Sequence, residues 1–249
     1  MSKIEKERID QILVARELTE SRARAQALIM AGKVFVGEVR VDKPGTRVAV
    51  DADICLKGRD HPWVSRGGIK LDHGLTHFDI SAEGKTCLDV GASTGGFTDV
   101  LLSKGAAKVF AVDVGHGQFD WKLRNDERVV LLERTNARHL SASHIPDPLD
   151  LIVCDASFIG LETVLPASLA LAAPGARLIA LIKPQFEVGK GRVGKGGVVR
   201  DPALHIEVCQ QIAGWLDGLE DWTVLGVSES PITGPEGNVE FLIAARHSA

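Results

Sequence analysis

Cys87-Leu-Asp-Val-Gly-Ala-Ser-Thr-Gly-Gly-Phe97, followed one helix later by Val109-Phe-Ala-Val-Asp113, is the stretch that decides the fold of this 249-residue chain. An apolar run ends in Asp89 and turns through a loop with glycines at 91, 95 and 96. A second apolar run ends in Asp113. A glycine loop leaving a strand lets backbone N–H groups approach a ligand closely. An acidic residue ending the next strand can accept hydrogen bonds from ribose hydroxyls. The pair points to a nucleoside cofactor.

Working outward, strand and helix patterns alternate from residue 85 onward. Strands are expected at 86–90, 108–112, 128–132, 149–154, 177–182, 223–228 and 239–245. Helices are expected at 66–77, 96–104, 117–124, 161–172 and 201–217. Asp201-Pro202 is an N-cap followed by proline at the first helical position. This alternation implies an α/β, doubly wound and mostly parallel sheet of seven strands. About a dozen residues without a helical pattern join the last two strands. They imply a closing antiparallel hairpin that a plain dinucleotide-binding fold lacks.

Upstream, residues 5–17 place Ile9, Ile12, Leu13 and Val14 on one helical face. Thr19 or Ser21 can cap a second helix that stops at Gly32. Val34–Val41 reads as a β-hairpin around Gly37-Glu38, and Val48–Leu56 as a further short strand. These elements predict a small α+β domain over 1–59, a linker over 60–64 and the α/β domain over 65–249.

Composition, 45% hydrophobic and 25% charged, suits one large and one small globular domain. No run of 18 apolar residues occurs, and the charged N-terminus lacks a signal peptide's apolar core. A cytoplasmic, monomeric protein with no membrane association is expected. The cysteines at 55, 87, 154 and 209 lack metal-ligand spacing, so no metal is expected. Residues 1–70 hold 14 Lys/Arg against 10 Asp/Glu, whereas residues 71–249 hold 15 against 23. A basic segment on an acidic body suggests a polyanion-binding module beside a catalytic domain, although a solvated surface would look the same.

A dinucleotide fingerprint would need glycine where Ser93 stands, and no Gly-Lys-Ser/Thr of a P-loop follows. The run Asp-Val-Gly-x-x-x-Gly-Gly-Phe-Thr instead resembles motif I of S-adenosylmethionine-dependent methyltransferases. That resemblance places the cofactor against Asp89, Gly91, Ala92, Ser93, Gly95, Gly96 and Phe97. Gly91 and Gly95 would leave space for its methionine moiety, and Asp113 would bind its ribose. Asp155 and Lys183 end later strands, where open α/β sheets hold their ligands. Asp155 therefore counts among both the cofactor and the catalytic residues. Lys70 precedes the sheet on a short helix, and Glu240 opens the last strand. Each alone reads equally as a solvated charge. Together, two lysines and two acids can prepare a base for a weakly acidic hydroxyl: a second ammonium disfavours the charged lysine, and the carboxylates orient it. Lys183 is the expected base, with Lys70, Asp155 and Glu240 tuning it.

Residues 64–245 resemble the FtsJ-like RNA ribose 2′-O-methyltransferases, whose Lys-Asp-Lys-Glu tetrad falls on Lys70, Asp155, Lys183 and Glu240. Residues 6–57 resemble the S4 RNA-binding domain, through Arg8-Ile-Asp-Gln-Ile-Leu, Ser21-Arg-Ala-Arg-Ala-Gln-Ala-Leu-Ile and Gly32-Lys-Val-Phe-Val. The two in this order, with Ser65-Arg-Gly-Gly-Ile-Lys-Leu and Lys183-Pro-Gln-Phe-Glu, resemble the TlyA family over nearly the whole chain. The resemblance implies a Rossmann-like S-adenosylmethionine methyltransferase domain with an antiparallel last strand. It implies methylation of cytidine 2′-hydroxyls in 16S and/or 23S ribosomal RNA, with ribosomal subunits as partners. The family is also called a hemolysin family; a membrane-active hemolysin and a non-catalytic ribosome-assembly factor are the alternatives. Arg8, Arg22, Arg24, Lys33, Trp63 and Arg66 are the RNA-contact candidates, with Phe158 a further aromatic beside the site.

Overall fold

A computed structural model describes residues 6–16, 18–19, 21–56, 61–234 and 236–248. Residues 5 and 17 of the expected first helix, residues 57–59 at the end of the expected small domain and residue 60 of the expected linker lie outside the described residues. The chain divides into two compact units, Met1–Pro62 and Trp63–Ala249.

In the first unit, β1 (Lys6–Arg8) leads directly into α1 (Ile9–Ala15), and α2 (Arg22–Met30) follows. The expected first helix is therefore shortened at its start. Residues 6–8 pair antiparallel with β4 (Arg47–Ala49), and the Ile9 and Asp10 amides donate to Thr46 and Pro44 carbonyls. Ser21 caps α2 by accepting from the Arg24 amide at 3.2 Å. The hairpin forms as β2 (Val34–Val36) and β3 (Val39–Arg40). The strand expected over 48–56 is instead two, β4 and β5 (Ile54–Leu56). The intervening turn is held by Arg16, which donates to the carbonyls of Val50 and Ala52. Ile9, Leu13, Ala25, Ile29, Val34 and Val41 form the small core.

The second unit opens with α3 (Gly67–His77) and continues through β6 (Thr86–Val90), α4 (Gly96–Ser103), β7 (Lys108–Val112), α5 (Trp121–Arg124), β8 (Val129–Leu132) and β9 (Leu149–Cys154). Two single turns, α6 (Leu161–Val164) and α7 (Pro166–Leu169), precede β10 (Ala172–Ile182). After α8 (Pro184–Glu187) come α9 (Pro202–Asp217), β11 (Trp222–Glu229) and β12 (Phe241–His247). The strand order is β11-β12-β10-β9-β6-β7-β8. Strands β10, β9, β6, β7 and β8 run parallel, and β12 lies antiparallel between β10 and β11. The expected doubly wound sheet and closing hairpin are both present.

Two expected helices are much shorter than the pattern suggested. Only Trp121–Arg124 of 117–124 is helical, started by Asp120 accepting from the Lys122 amide. The 161–172 pattern breaks at Leu165-Pro166, because proline cannot donate the hydrogen bond that would continue the helix. The chain then enters β10 at Ala172, earlier than the expected 177.

The strands are apolar on both faces, as a covered parallel sheet requires. Leu88, Val90, Phe110, Val112, Ile152 and Cys154 face one core, with Val208, Ile212 and Leu216 of α9. Cys87, Val109, Ala111, Leu151 and Val153 face the other, with residues of α3 and α4. No helix among the described residues is long and apolar enough to cross a membrane.

Candidate active site

Four chain segments reach one end of the sheet. The parallel strands β6, β9 and β10 deliver the Gly91 turn, Asp155 and Lys183 at their carboxyl ends. Glu240 arrives there for the opposite reason: β12 runs antiparallel, so its start, with Phe241 opposite Ile182, lies where β10 ends. Helix α3 packs against this face and carries Lys70 in its first turns.

The four charged side chains meet as two pairs. Lys70 Nζ donates to Glu240 Oε2, and both residues are buried. Lys183 Nζ lies 2.5 Å from Asp155 Oδ1 and donates to Ser157 Oγ at 2.9 Å and the Asp155 carbonyl at 3.3 Å. All four residues line one cavity of about 670 Å³, together with Gly91, Ala92, Ser93, Gly96, Phe97 and Ser157. Buried charges persist only when paired and hydrogen-bonded, and each lysine here has its own carboxylate. Glycine at 234 permits one of these pairs, because a Cβ there would stand 2.5 Å from Glu240 Oε1.

The turn after β6 is tight. Gly91 has φ +83°, and a Cβ would meet the Ala156 backbone at 2.9 Å, so glycine there keeps the Gly91 turn and the Asp155 loop in contact. Gly95 has φ +94°, and its Cβ would meet Leu123 Cδ1 at 2.4 Å. What Gly95 accommodates is therefore α5, not the main cavity, whose lining does not include it. Asp113 sits in an adjoining small hollow with Ser93, Gly115, His116 and Phe119. Its Oδ2 accepts from the Ser93 amide at 2.8 Å and its Oδ1 from the Gly115 amide at 2.7 Å. Glu133 fixes the same loop by accepting from the Gly117 amide and Arg124, both at 2.7 Å.

Asp89 does not line the cavity. It is fully buried, faces α4 and accepts from Thr98 Oγ1 at 2.7 Å. Its Oδ1 has no hydrogen-bond partner among the described residues. Burial pushes its carboxyl up to about 7, against the opposing Thr98 hydrogen bond. In the unfolded chain the same group titrates near 3.8. The folded state is therefore favoured below that value, and this advantage is lost as pH rises through about 7. The Asp89→Asn variant should gain stability relative to wild type as pH rises from 4 to 7. The difference is on the order of 4 kcal/mol at most. Urea unfolding of both proteins at pH 4, 5.5 and 7 measures it, and parallel stability curves would sink the prediction.

The RNA-contact candidates fall into two groups. Arg8 and Arg22 both bind the buried Asp10 carboxylate at 2.9 Å, which Gln26 also reaches at 3.0 Å. Arg22 and Gln26 thus tie α2 to α1, and Arg8 braces the same carboxylate from β1, which gives both arginines a structural role. Arg24 and Lys33 lie on the exposed surface of the first unit. In the second unit Trp63 is half-buried and packs on Gly68, where a Cβ would meet its ring at 2.3 Å. The Val64 amide donates to Asp99 Oδ2 at 2.8 Å. The last two residues of the expected linker are thus part of the second unit's packing. Arg66 is exposed at the cavity wall and donates to the Thr233 carbonyl at 3.3 Å. Phe158 is 90% exposed, with φ +65° and its ring 5.2 Å from that of Phe186.

Sequence reasoning also missed Ser157, two residues beyond Asp155, and the glycine-rich stretch 189–197. Gly196 and Gly197 line the cavity, with Lys195 and Arg200 exposed nearby in the chain. The alternation of Lys, Arg and Gly there was the available signal.

A glycine turn facing an acid-ended strand, with two lysine–carboxylate pairs lining one cavity and a reversed final strand, is the arrangement of a methyl-transferring enzyme. The chain belongs to the FtsJ-like methyltransferase family, which matches residues 63–247. Residues 7–54 match the S4 domain. It is 50% identical over 240 residues to the 16S/23S rRNA (cytidine-2′-O)-methyltransferase TlyA of Mycobacterium tuberculosis, covering 96% of this chain and 89% of that one. It is 41% identical to Hemolysin A of Brachyspira hyodysenteriae, covering 94% and 98%. A solved structure from Streptococcus thermophilus, whose description carries the hemolysin name, superimposes with a TM-score of 0.74 at 39% identity, covering 99% of this chain and 90% of that one.

Proposed function

We propose that this protein is an S-adenosylmethionine-dependent methyltransferase acting on cytidine 2′-hydroxyls of 16S and/or 23S ribosomal RNA. The observation that carries the reading is the pairing of Lys183 with Asp155 and of Lys70 with Glu240 around one cavity. The residues present fit the cofactor. Each oxygen of Asp113 accepts one backbone N–H, and a carboxylate keeps further lone pairs for two hydroxyl donors. Asp113 would hold the ribose, and the Gly91–Ser93 turn and Phe97 the remainder beside Asp155. When bound, the cofactor supplies an electrophilic methyl group.

The chain's own residues would prepare the acceptor. Lys183 Nζ takes the proton of the hydroxyl, and Asp155 fixes the direction of that amine. Lys70 and Glu240 line the same cavity and hold a compensated charge there. Phe158 offers an exposed ring on which a base can stack. Arg24, Lys33 and Arg66 meet phosphates, which sets register without reading sequence. The S4-like unit thus supplies RNA affinity to the catalytic unit. Soluble behaviour in the cytoplasm and a monomeric state belong to the same proposal.

The test is transfer of labelled methyl groups to 30S and 50S subunits and to naked ribosomal RNA, with the product mapped by mass spectrometry. Label in 2′-O-methylcytidine is expected. Label confined to a base, or to protein, would overturn the reading.

A further inference from the structure

Lys183 Nζ is enclosed by three acceptors: Asp155 Oδ1, Ser157 Oγ and the Asp155 carbonyl, at 2.5, 2.9 and 3.3 Å. An ammonium has three protons and no acceptor. Ser157 Oγ and the Asp155 carbonyl accept hydrogen bonds from Nζ, and Asp155 Oδ1 faces it as the ion-pair partner. A lysine so placed must first release one proton before it can accept another. The three acceptors differ in what they can do with it. The carbonyl belongs to Asp155, just after β9, whose own amide is tied to Val90 O at the end of β6, and it has no proton to pass on. The carboxylate is the counter-charge that orients the amine. Ser157 alone among them has a hydroxyl, which accepts a hydrogen bond and donates one at the same time. It is also the exposed member, whereas Lys183 is buried.

We propose that Ser157 is a positioning residue for Lys183 that leads the proton from the buried amine to solvent. This rests on the reading of Lys183 as the base. An Nζ proton passes to Ser157 Oγ while the Oγ proton passes to a water molecule. Lys183 is left with a lone pair and Ser157 again with one hydroxyl proton. The proton of the substrate hydroxyl then occupies the vacated place on Nζ. One proton per turnover reaches the solvent, and both side chains return to their starting states.

The full-length enzyme, saturated with cofactor and a methylatable subunit, is followed over successive turnovers from pH 6 to 9.5, because each transfer leaves Lys183 protonated again. Ser157→Ala should lower the high-pH plateau about tenfold, a part of what general base catalysis supplies. Its KM for RNA and its affinity for cofactor should stay at the wild-type values. Ser157→Thr, which restores the hydroxyl, should recover the plateau. A merely electrostatic contact would move the rising limb along the pH axis and leave the plateau unchanged, and that result overturns the proposal. So does a loss confined to KM, or an alanine variant indistinguishable from wild type. Lys183→Arg, run in parallel, separates the two levels. If it stays active, the base assignment falls and Ser157 with it. If it is inactive while Ser157→Ala is unaffected, only the Ser157 proposal falls.

Discussion

Replacing Lys183 by methionine should reduce methyl transfer by about 10²–10⁴-fold, the usual contribution of a positioned general base. Cofactor affinity should change by less than about threefold, because the proposed cofactor contacts lie chiefly on the Gly91 turn and Asp113, at the ends of other strands. The methionine variant alone is ambiguous, since it also strips Asp155 of its cation. Lys183→Arg removes the ambiguity. A guanidinium keeps the positive charge and can still bind a carboxylate, but it does not deprotonate in proteins. If proton abstraction is the role, arginine is as inactive as methionine. If the charge alone matters, arginine restores most of the rate. Single-turnover rates with isothermal titration of the cofactor measure both quantities, and a substantially active arginine variant would falsify the assignment.

The second large effect concerns stability. Asp10→Ala should destabilise the N-terminal unit by about 2–4 kcal/mol, because it removes charge-assisted hydrogen bonds at a fully buried position. Arg8, Arg22 and Gln26 all converge on this carboxylate, which is completely excluded from solvent. A core of six buried apolar residues among those described is small, and such a loss is a large share of a small domain's stability. The Arg8 hydrogen bond chiefly, with those of Gln26 and Arg22, holds the Asp10 carboxyl well below the usual range against the opposing effect of burial. Its contribution is therefore present above the unfolded value of 3.8 and is lost as pH falls through the lower folded value. Hydrogen exchange of amides 6–56 should show faster opening in Asp10→Ala at pH 7. Unchanged protection would refute the structural role given to these arginines and return them to the RNA-contact candidates.

The apolar strands around the glycine turn were legible because a covered parallel sheet writes continuous hydrophobic runs. The reversed last strand was legible because no helix pattern separates 223–228 from 239–245. Less visible were effects of tertiary partners. The run 161–172 has helical periodicity, yet Pro166 and the early start of β10 divide it. Arg8 and Arg22 look like solvent-facing cations until folding places Asp10 between them. Asp89 sits in a cofactor motif, but its place in the strand turns it toward Thr98. Lys70 was expected beside Lys183 as a tuning charge, and the fold gives each lysine a separate carboxylate. Pairing of this kind depends on distances across the sheet, which spacing along a chain does not encode.

The reversal of β12 has a consequence for biosynthesis. The four charged residues are made in the order 70, 155, 183 and 240, and the last belongs to a strand inserted between two that are already complete. A nascent chain can fold most of the sheet while Lys70 still lacks its counter-ion and β10 still exposes an unpaired edge. Translation must pass residue 247 before that edge is covered. A ribosome carrying this chain would thus hold an enzyme that is structurally unfinished until its final strand emerges.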